Sequence, residues 1–188
     1  MRIISGNKKG KKIILPDPGI TRPLKDNVKE NIFNILKHSN YFKLDFTNLV
    51  IFDFFAGSGS FGMECLSRDS RFVIFLENNK KTLNVLYRNL SNNFDKKKFL
   101  IMQTDFFNTD INTLVNKHKP KIIFFDPPYE IKNFNVAFKK VSDAIINNSE
   151  VLLIVHIKKD KKFEVENLKI LQERIYGISK IIFLKFKN

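Results

Sequence analysis

The sequence predicts a wound α/β fold: a seven-stranded, mostly parallel sheet with an antiparallel C-terminal hairpin and a small N-terminal hairpin-helix appendage. Three observations carry this. From about residue 49 onward, short apolar runs alternate with longer amphipathic stretches, the pattern of strands and crossover helices. Four of the first five runs are continuously apolar, as strands buried on both faces should be. The last two strand-like runs flank Gly177 too closely for a helix to fit between them.

Taken in order, Arg2–Ile4 and Lys12–Leu15 are expected to pair across Gly6 and Gly10, followed by the breaker run Pro16-Asp17-Pro18-Gly19. A helix is predicted from Asp26, a plausible N-cap, to Lys37, with Val28, Ile32, Ile35 and Leu36 facing inward. Strands are predicted at Leu49–Phe54, Phe72–Leu76, Phe99–Gln103, Lys121–Phe125 and Val151–Val155. The helices between them are placed at 60–68, 79–92 and 133–147. In the second, Leu83, Leu86, Tyr87 and Leu90 recur at the spacing of one helix face. Leu168–Ile175 and Ile178–Phe186 form the closing hairpin. Length permits a single domain of 188 residues, with 1–40 as the appendage and 41–188 as the core.

Composition removes several classes of function. The longest apolar runs are five residues, far short of the roughly 20 needed to span a membrane, so no membrane partner is expected. The start, Met1-Arg2-Ile3-Ile4-Ser5, has no apolar stretch with a cleavage site, so no signal peptide is expected. One cysteine, Cys65, excludes an internal disulfide framework and suits a reducing compartment: the cytoplasm, or an organelle matrix or stroma like it. A net charge of +14 is the footprint of a polyanion binder. Lysine, however, far outnumbers arginine beside many Asn and Ile, the mark of drift towards AT-rich codons. Composition alone leaves both readings open.

The first predicted strand runs into Asp53-Phe54-Phe55-Ala56-Gly57-Ser58-Gly59-Ser60-Phe61-Gly62. Gly57, Gly59 and Gly62 match G-x-G-x-x-G, and Glu77 closes the next strand 20 residues after Gly57. Asp53 decides between cofactors. A dinucleotide would set a pyrophosphate near this carboxylate, which is repulsive at close range. S-adenosylmethionine (SAM) carries an α-amino group, a sulfonium and no phosphate, and an acid there attracts it. The balance favours SAM over NAD, with a ligand-free glycine turn as the plain alternative. Glu77 is placed to accept ribose hydroxyls in either case. Asp105, after the third strand, is placed to accept an adenine amino group while Phe106 touches the ring; capping a helix over 106–113 is the alternative role for Asp105.

The fourth strand delivers Asp126-Pro127-Pro128-Tyr129 at its carboxyl end, beside the first strand's crevice. An exocyclic amine on a nucleobase is a poor nucleophile because its lone pair is delocalised into the ring. A carboxylate and a backbone carbonyl that accept from its N–H groups aim that lone pair at a methyl donor. Consecutive prolines hold those acceptors still, and Tyr129 offers a face for stacking an extruded base. Asp-Pro-Pro occurs in rigid turns by chance, but its placement after a matching glycine loop makes the pair of motifs a strong signal.

With these residues the chain resembles the RsmD-type 16S rRNA (guanine-N2)-methyltransferases, within the Rossmann-like class I SAM-dependent methyltransferases. The resemblance includes Arg2–Gly6 with the basic stretch to Lys12, Thr21-Arg22-Pro23, Asp26, Val28, Glu30 and Phe33-Asn34. It continues through Asp53–Gly62, Glu64, Leu66-Ser67-Arg68, Glu77, Asn89-Leu90, Asp126–Tyr129, Glu173 and Tyr176-Gly177. The resemblance implies a SAM pocket using Asp53, Phe55, Ala56, Gly57, Ser58, Gly59, Glu77, Asn78, Asp105 and Phe106, covered by Thr21 and Arg22. It implies a target guanine held by Asp126, Pro127, Pro128 and Tyr129, and a substrate that is small-subunit rRNA in an assembled or assembling subunit. The sequence departs from the family pattern at Leu24, Asn27, Lys29, Asn78 and at His156, where a Glu is typical. Adenine-N6 methylation through the same loop remains an alternative, as does an RNA-binding assembly protein without catalysis.

His38, His118 and His156 are never at metal-ligand spacing, so no metal is expected. Cys65 is expected as a buried small hydrophobe. Lys96-Lys97-Lys98 and Lys158–Lys162 are expected in solvated loops. Lys8, Lys9, Lys11 and Lys12 crowd the front hairpin, next to the expected pocket cover, and are the candidate phosphate contacts.

Overall fold

A computed structural model describes residues 1–17, 23–146 and 148–187. The strands are β1 (Val50–Phe54), β2 (Phe72–Glu77), β3 (Phe99–Gln103), β4 (Ile122–Phe125), β5 (Leu152–Lys158), β6 (Leu168–Tyr176) and β7 (Ser179–Phe186). They form one sheet in the order β3-β2-β1-β4-β5-β7-β6. β1 to β5 pair in parallel, and β7 pairs antiparallel with both β5 and β6. The order reverses between β1 and β4, the switch point at which wound sheets open a crevice.

The helices are α1 (Asp26–His38), α2 (Ser60–Ser67), α3 (Lys80–Ser91), α4 (Ile111–His118) and α5 (Phe134–Ala144). One face of the sheet packs against α1, α2 and α3 through Ile51, Phe75, Phe124, Ile154 and Phe183. The other packs against α4 and α5 through Phe52, Phe54, Ile123, Leu153 and Ile182. Strand alternation sorts the two sets, and β1 and β4 are buried at every position. The appendage joins the first of these cores, since Ile3, Ile13 and Leu24 are enclosed with Phe33 and Phe61.

Two expectations are corrected. No side chain caps α1; its N-cap position is Lys25, and Asp26 lies inside the helix, where its carboxylate accepts from the Arg2 amide instead. The alternative role for Asp105, capping a helix over 106–113, is not seen: the helix there is α4, five residues later, capped by Asp110 onto Thr113. Ile111, Leu114, Val115 and His118 carry its periodicity, a signal overlooked by fixing the start at Asp105.

The front hairpin closes through an Arg2–Lys12 bridge, and the Ile13 amide donates to the Met1 carbonyl. Its turn docks on the far end of α2, where the Asn7 and Lys8 amides donate to the Ser67 carbonyl and hydroxyl. A Cβ on Gly6 would lie 1.7 Å from that carbonyl, so only glycine fits there. Glu64 of α2 fastens the outgoing strand: its carboxylate accepts from the Ile4 amide at 2.7 Å and the Ser5 amide at 2.9 Å. Arg68 pairs with the same carboxylate at 2.9 Å, and Lys29 of α1 lies 3.9 Å away. Lys29 is enclosed, with its ammonium donating to the Arg2 carbonyl and to Ser60 Oγ. Burial pulls the Lys29 pKa down, against Glu64 and Asp26, which hold it up.

Candidate active site

The crevice at the switch point is a cavity of about 500 Å³ whose lining includes Asp53, Phe55–Ser58, Glu77 and Asp126–Tyr129. The ends of β1, β2 and β4 contribute Asp53, Glu77 and Asp126 to its wall, and His156 of β5 lies behind Asp126. Alternation along β1, β4 and β5 turns Asp53, Asp126 and His156 to the α1–α2 face, and the Asp126 amide donates to the Phe54 carbonyl of the neighbouring strand. The glycine loop and the Asp-Pro-Pro-Tyr loop therefore share one cavity, as their spacing predicted.

Asp53 is 2% exposed, with Oδ2 accepting from the Gly62 amide at 2.9 Å. Burial raises its pKa well above the usual carboxylate range, the Gly62 N–H opposes this, and the nearby Asp126 and Glu77 carboxylates raise it further. Gly62 is fixed by close approach: a Cβ there would lie 2.2 Å from the Phe75 ring. Phe55 holds a left-handed backbone (φ 59), a costly conformation for a bulky residue, and in it lines the cavity.

Glu77 closes the loop. Its Oε2 accepts from the Gly57 amide, and Oε1 accepts from the Asn78 and Asn79 amides. A carboxylate offers about four acceptor positions, so gripping two ribose hydroxyls together requires one of these bonds to yield. Asp105 and Phe106 are not brought to the cavity wall. Phe106 is buried behind Phe55, ring centroids 4.9 Å apart, and Asp105 accepts from the Phe107 amide in a local turn. The aromatic surface offered on that side is Phe55. Gly59 is also absent from the wall. Thr21 and Arg22, the expected cover, lie outside the described residues; Pro23 and Leu24, which follow them, line the cavity.

The described lining contains four carboxylates, Asp53, Glu77, Asp126 and Glu130, and no lysine or arginine. That surface attracts an ammonium or sulfonium and repels a pyrophosphate. It fits the donor chemistry of SAM and disfavours a dinucleotide. Sequence reasoning missed Leu24, Ser60, Phe61, Asn79, Phe124 and Glu130 in the wall; Asn79 had a signal, since its side chain caps α3. It also missed the contact of His156 Nδ1 with Asp126 Oδ1, 2.9 Å apart.

The candidate lysines are elsewhere. Lys9, Lys11 and Lys12 are exposed and Lys8 half-buried, but the turn that carries them sits at the far end of α2, about 10 Å along that helix from the cavity rim. The residues expected to cover the cavity, Thr21 and Arg22, lie outside the described residues, so the placement of these lysines beside them stands as an expectation.

A family model described as conserved hypothetical protein 95, the RsmD family, matches residues 1–185. The chain belongs to this family. Ribosomal RNA small subunit methyltransferase D of Haemophilus influenzae is 34% identical over 187 residues, spanning 95% of this chain and 90% of that protein. Its namesake in Buchnera aphidicola is 37% identical over 130 residues, 68% of this chain and 62% of that protein. Among solved structures, Escherichia coli yhhF matches with a TM-score of 0.79 at 22% identity, covering 100% of this chain and 98% of that one. The rRNA methyltransferase aviRa of Streptomyces viridochromogenes matches at 0.69 and 14% identity, covering 92% and 89%. Both support the fold, a Rossmann-like class I architecture. Lys29, one of the departures from the family pattern, is enclosed here and serves the α1–α2 junction.

Proposed function

We propose that this protein transfers a methyl group from SAM to the exocyclic N2 of a guanine in small-subunit ribosomal RNA, within an assembled or assembling subunit. The observation that carries the reading is a single cavity with a cation-attracting acidic wall and the Asp126-Pro127-Pro128-Tyr129 loop opposite. Family membership supports the rRNA substrate, and the base position rests on the resemblance.

SAM, when bound, supplies a methyl group on a positively charged sulfur. Asp53 and Glu77 favour its charge and orient it from the β1 and β2 ends. Asp126 and the carbonyl of Pro127 accept from the two N–H groups of the amine, drawing its lone pair out of the ring and towards the methyl. Tyr129 stacks the extruded base. The N–C bond forms as the C–S bond breaks, with the electron pair going to sulfur. The nitrogen, now acidic, gives its proton through the acceptor shell to water. No strong base is needed; positioning and electrostatics carry the acceleration.

Tritiated-methyl transfer onto purified small subunits lacking the modification, followed by nucleoside analysis, tests this. N2-methylguanosine is expected. N6-methyladenosine would move the assignment to adenine, and no transfer would overturn the reading. Asp126→Ala should abolish transfer while leaving SAM affinity within about tenfold, because most ground-state binding lies elsewhere.

A further inference from the structure

We propose that His156 is a positioning residue that fixes the plane of the Asp126 carboxylate for the amine; this rests on the methyl-transfer reading above. Asp126 follows the last residue of β4, and the two prolines after it fix the backbone. They do nothing for the terminal torsion of the aspartate, which is broad and roughly two-fold in the absence of a partner. An acceptor that must meet an N–H at a defined angle needs that torsion held.

His156 supplies the hold. It sits in β5 between β4 and β7, paired with Ile181 of β7 and directly after Val155, which pairs with Phe125 of β4, so the sheet fixes its backbone. Its side chain is 4% exposed, and Nδ1 lies 2.9 Å from Asp126 Oδ1. The imidazole also meets the Tyr129 ring edge-on, centroids 6.4 Å apart. One ring therefore touches both side chains of the loop proposed to grip the base. The proposal assigns the Asp126 oxygen as acceptor and Nδ1 as the donor of this contact. The carboxylate has about four acceptor positions, and His156 uses one of them.

His156→Leu keeps similar bulk and removes the donor. His156→Asn places an amide N–H near the position of Nδ1, and His156→Gln places it near Nε2, one bond too far. In the subunit assay, His156→Leu should lower kcat by about 10- to 100-fold, the scale of a misplaced reacting group, with KM for the subunit and Kd for SAM within about threefold. His156→Asn should recover most of that loss and His156→Gln little of it. A purely structural histidine would instead lower thermal stability in all three variants without the kcat–KM split or the Asn rescue, and that result would overturn the proposal. A second readout is independent of turnover: ¹⁵N spectra of the wild-type protein should show His156 protonated at Nδ1. A bare Nδ1 would overturn the role even in an active enzyme. Activity that is absent from the wild type on every RNA offered, with Nδ1 protonated, would instead locate the failure in the methyl-transfer reading.

Discussion

Replacing Glu64 with alanine should remove about 4 kcal/mol of stability. The carboxylate is fully buried and is bonded by the Ile4 and Ser5 amides and by Arg68, with Lys29 at 3.9 Å. Its loss leaves Arg68 without its partner and the enclosed Lys29 ammonium with only Asp26, at 3.7 Å, as counter-charge, and breaking a buried pair costs about 3–5 kcal/mol. Two amides also lose their acceptor, each worth about 1–3 kcal/mol if water cannot reach it. Water entering along the half-exposed hairpin satisfies these amides, so the ion-pair cost, about 4 kcal/mol, sets the total. With a urea m-value of about 2–3 kcal/mol/M, the midpoint should fall by about 1.5–2 M. The cooperative control is Lys29→Met with Glu64→Leu, which swaps the pair for apolar bulk. It should cost less than the two single changes added, with a coupling of about 1–3 kcal/mol. Because α1 leads back to Pro23 and Leu24 in the cavity wall, Glu64→Ala should also weaken SAM binding. A midpoint within about 0.3 M of wild type, or strict additivity of the pair, would refute the claim that this carboxylate holds the appendage.

Three further outcomes are expected. Gly62→Ala should destabilise by about 1–3 kcal/mol through overpacking against Phe75; an unchanged denaturation midpoint would mean the helix can shift at no cost. Asp53 has a folded pKa raised above 3.8, so its contribution is fully present in acid and is lost as pH rises through the folded value. Asp53→Asn should therefore raise the melting temperature of the free protein at neutral pH, with the gain vanishing towards about pH 4, while calorimetry shows SAM affinity falling at least about tenfold. A variant no more stable than wild type at neutral pH would contradict the burial argument. Changing Lys8, Lys9, Lys11 and Lys12 to alanine should weaken subunit binding and reduce its salt slope by up to about 0.9 per lost phosphate contact; an unchanged slope would leave those lysines as solvated charge.

The sheet was legible because burial on both faces writes itself as unbroken apolar runs: β1, β2 and β4 match their expected bounds within one residue, and the half-exposed edge strand β3 matches its own without such a run. The cavity was legible because motifs at strand ends converge wherever a wound sheet reverses order. What was not legible depends on contacts between distant segments. Nothing local distinguishes Lys29 from any surface lysine; its enclosure follows from the meeting of Arg2, Ser60 and Glu64. Phe106 read as a cavity residue because its neighbour Asp105 is polar, but the space there is taken by Phe55, turned inward by its left-handed backbone. The docking of the front hairpin was not legible for a similar reason: it depends on Ser67 and Gly6, 61 positions apart in the chain.

The way the front segment is fastened also sets a timetable. Ile14 is held by Asn89, 75 residues later, and Ser5 by Glu64, 59 residues later. On the ribosome, where chains grow at about 5–20 residues per second, this segment must wait several seconds for its partners to be synthesised. Until Asn89 has left the exit tunnel, the segment around Ile14 lacks its partner, so this part of the fold closes only after the glycine loop and β2 have been made.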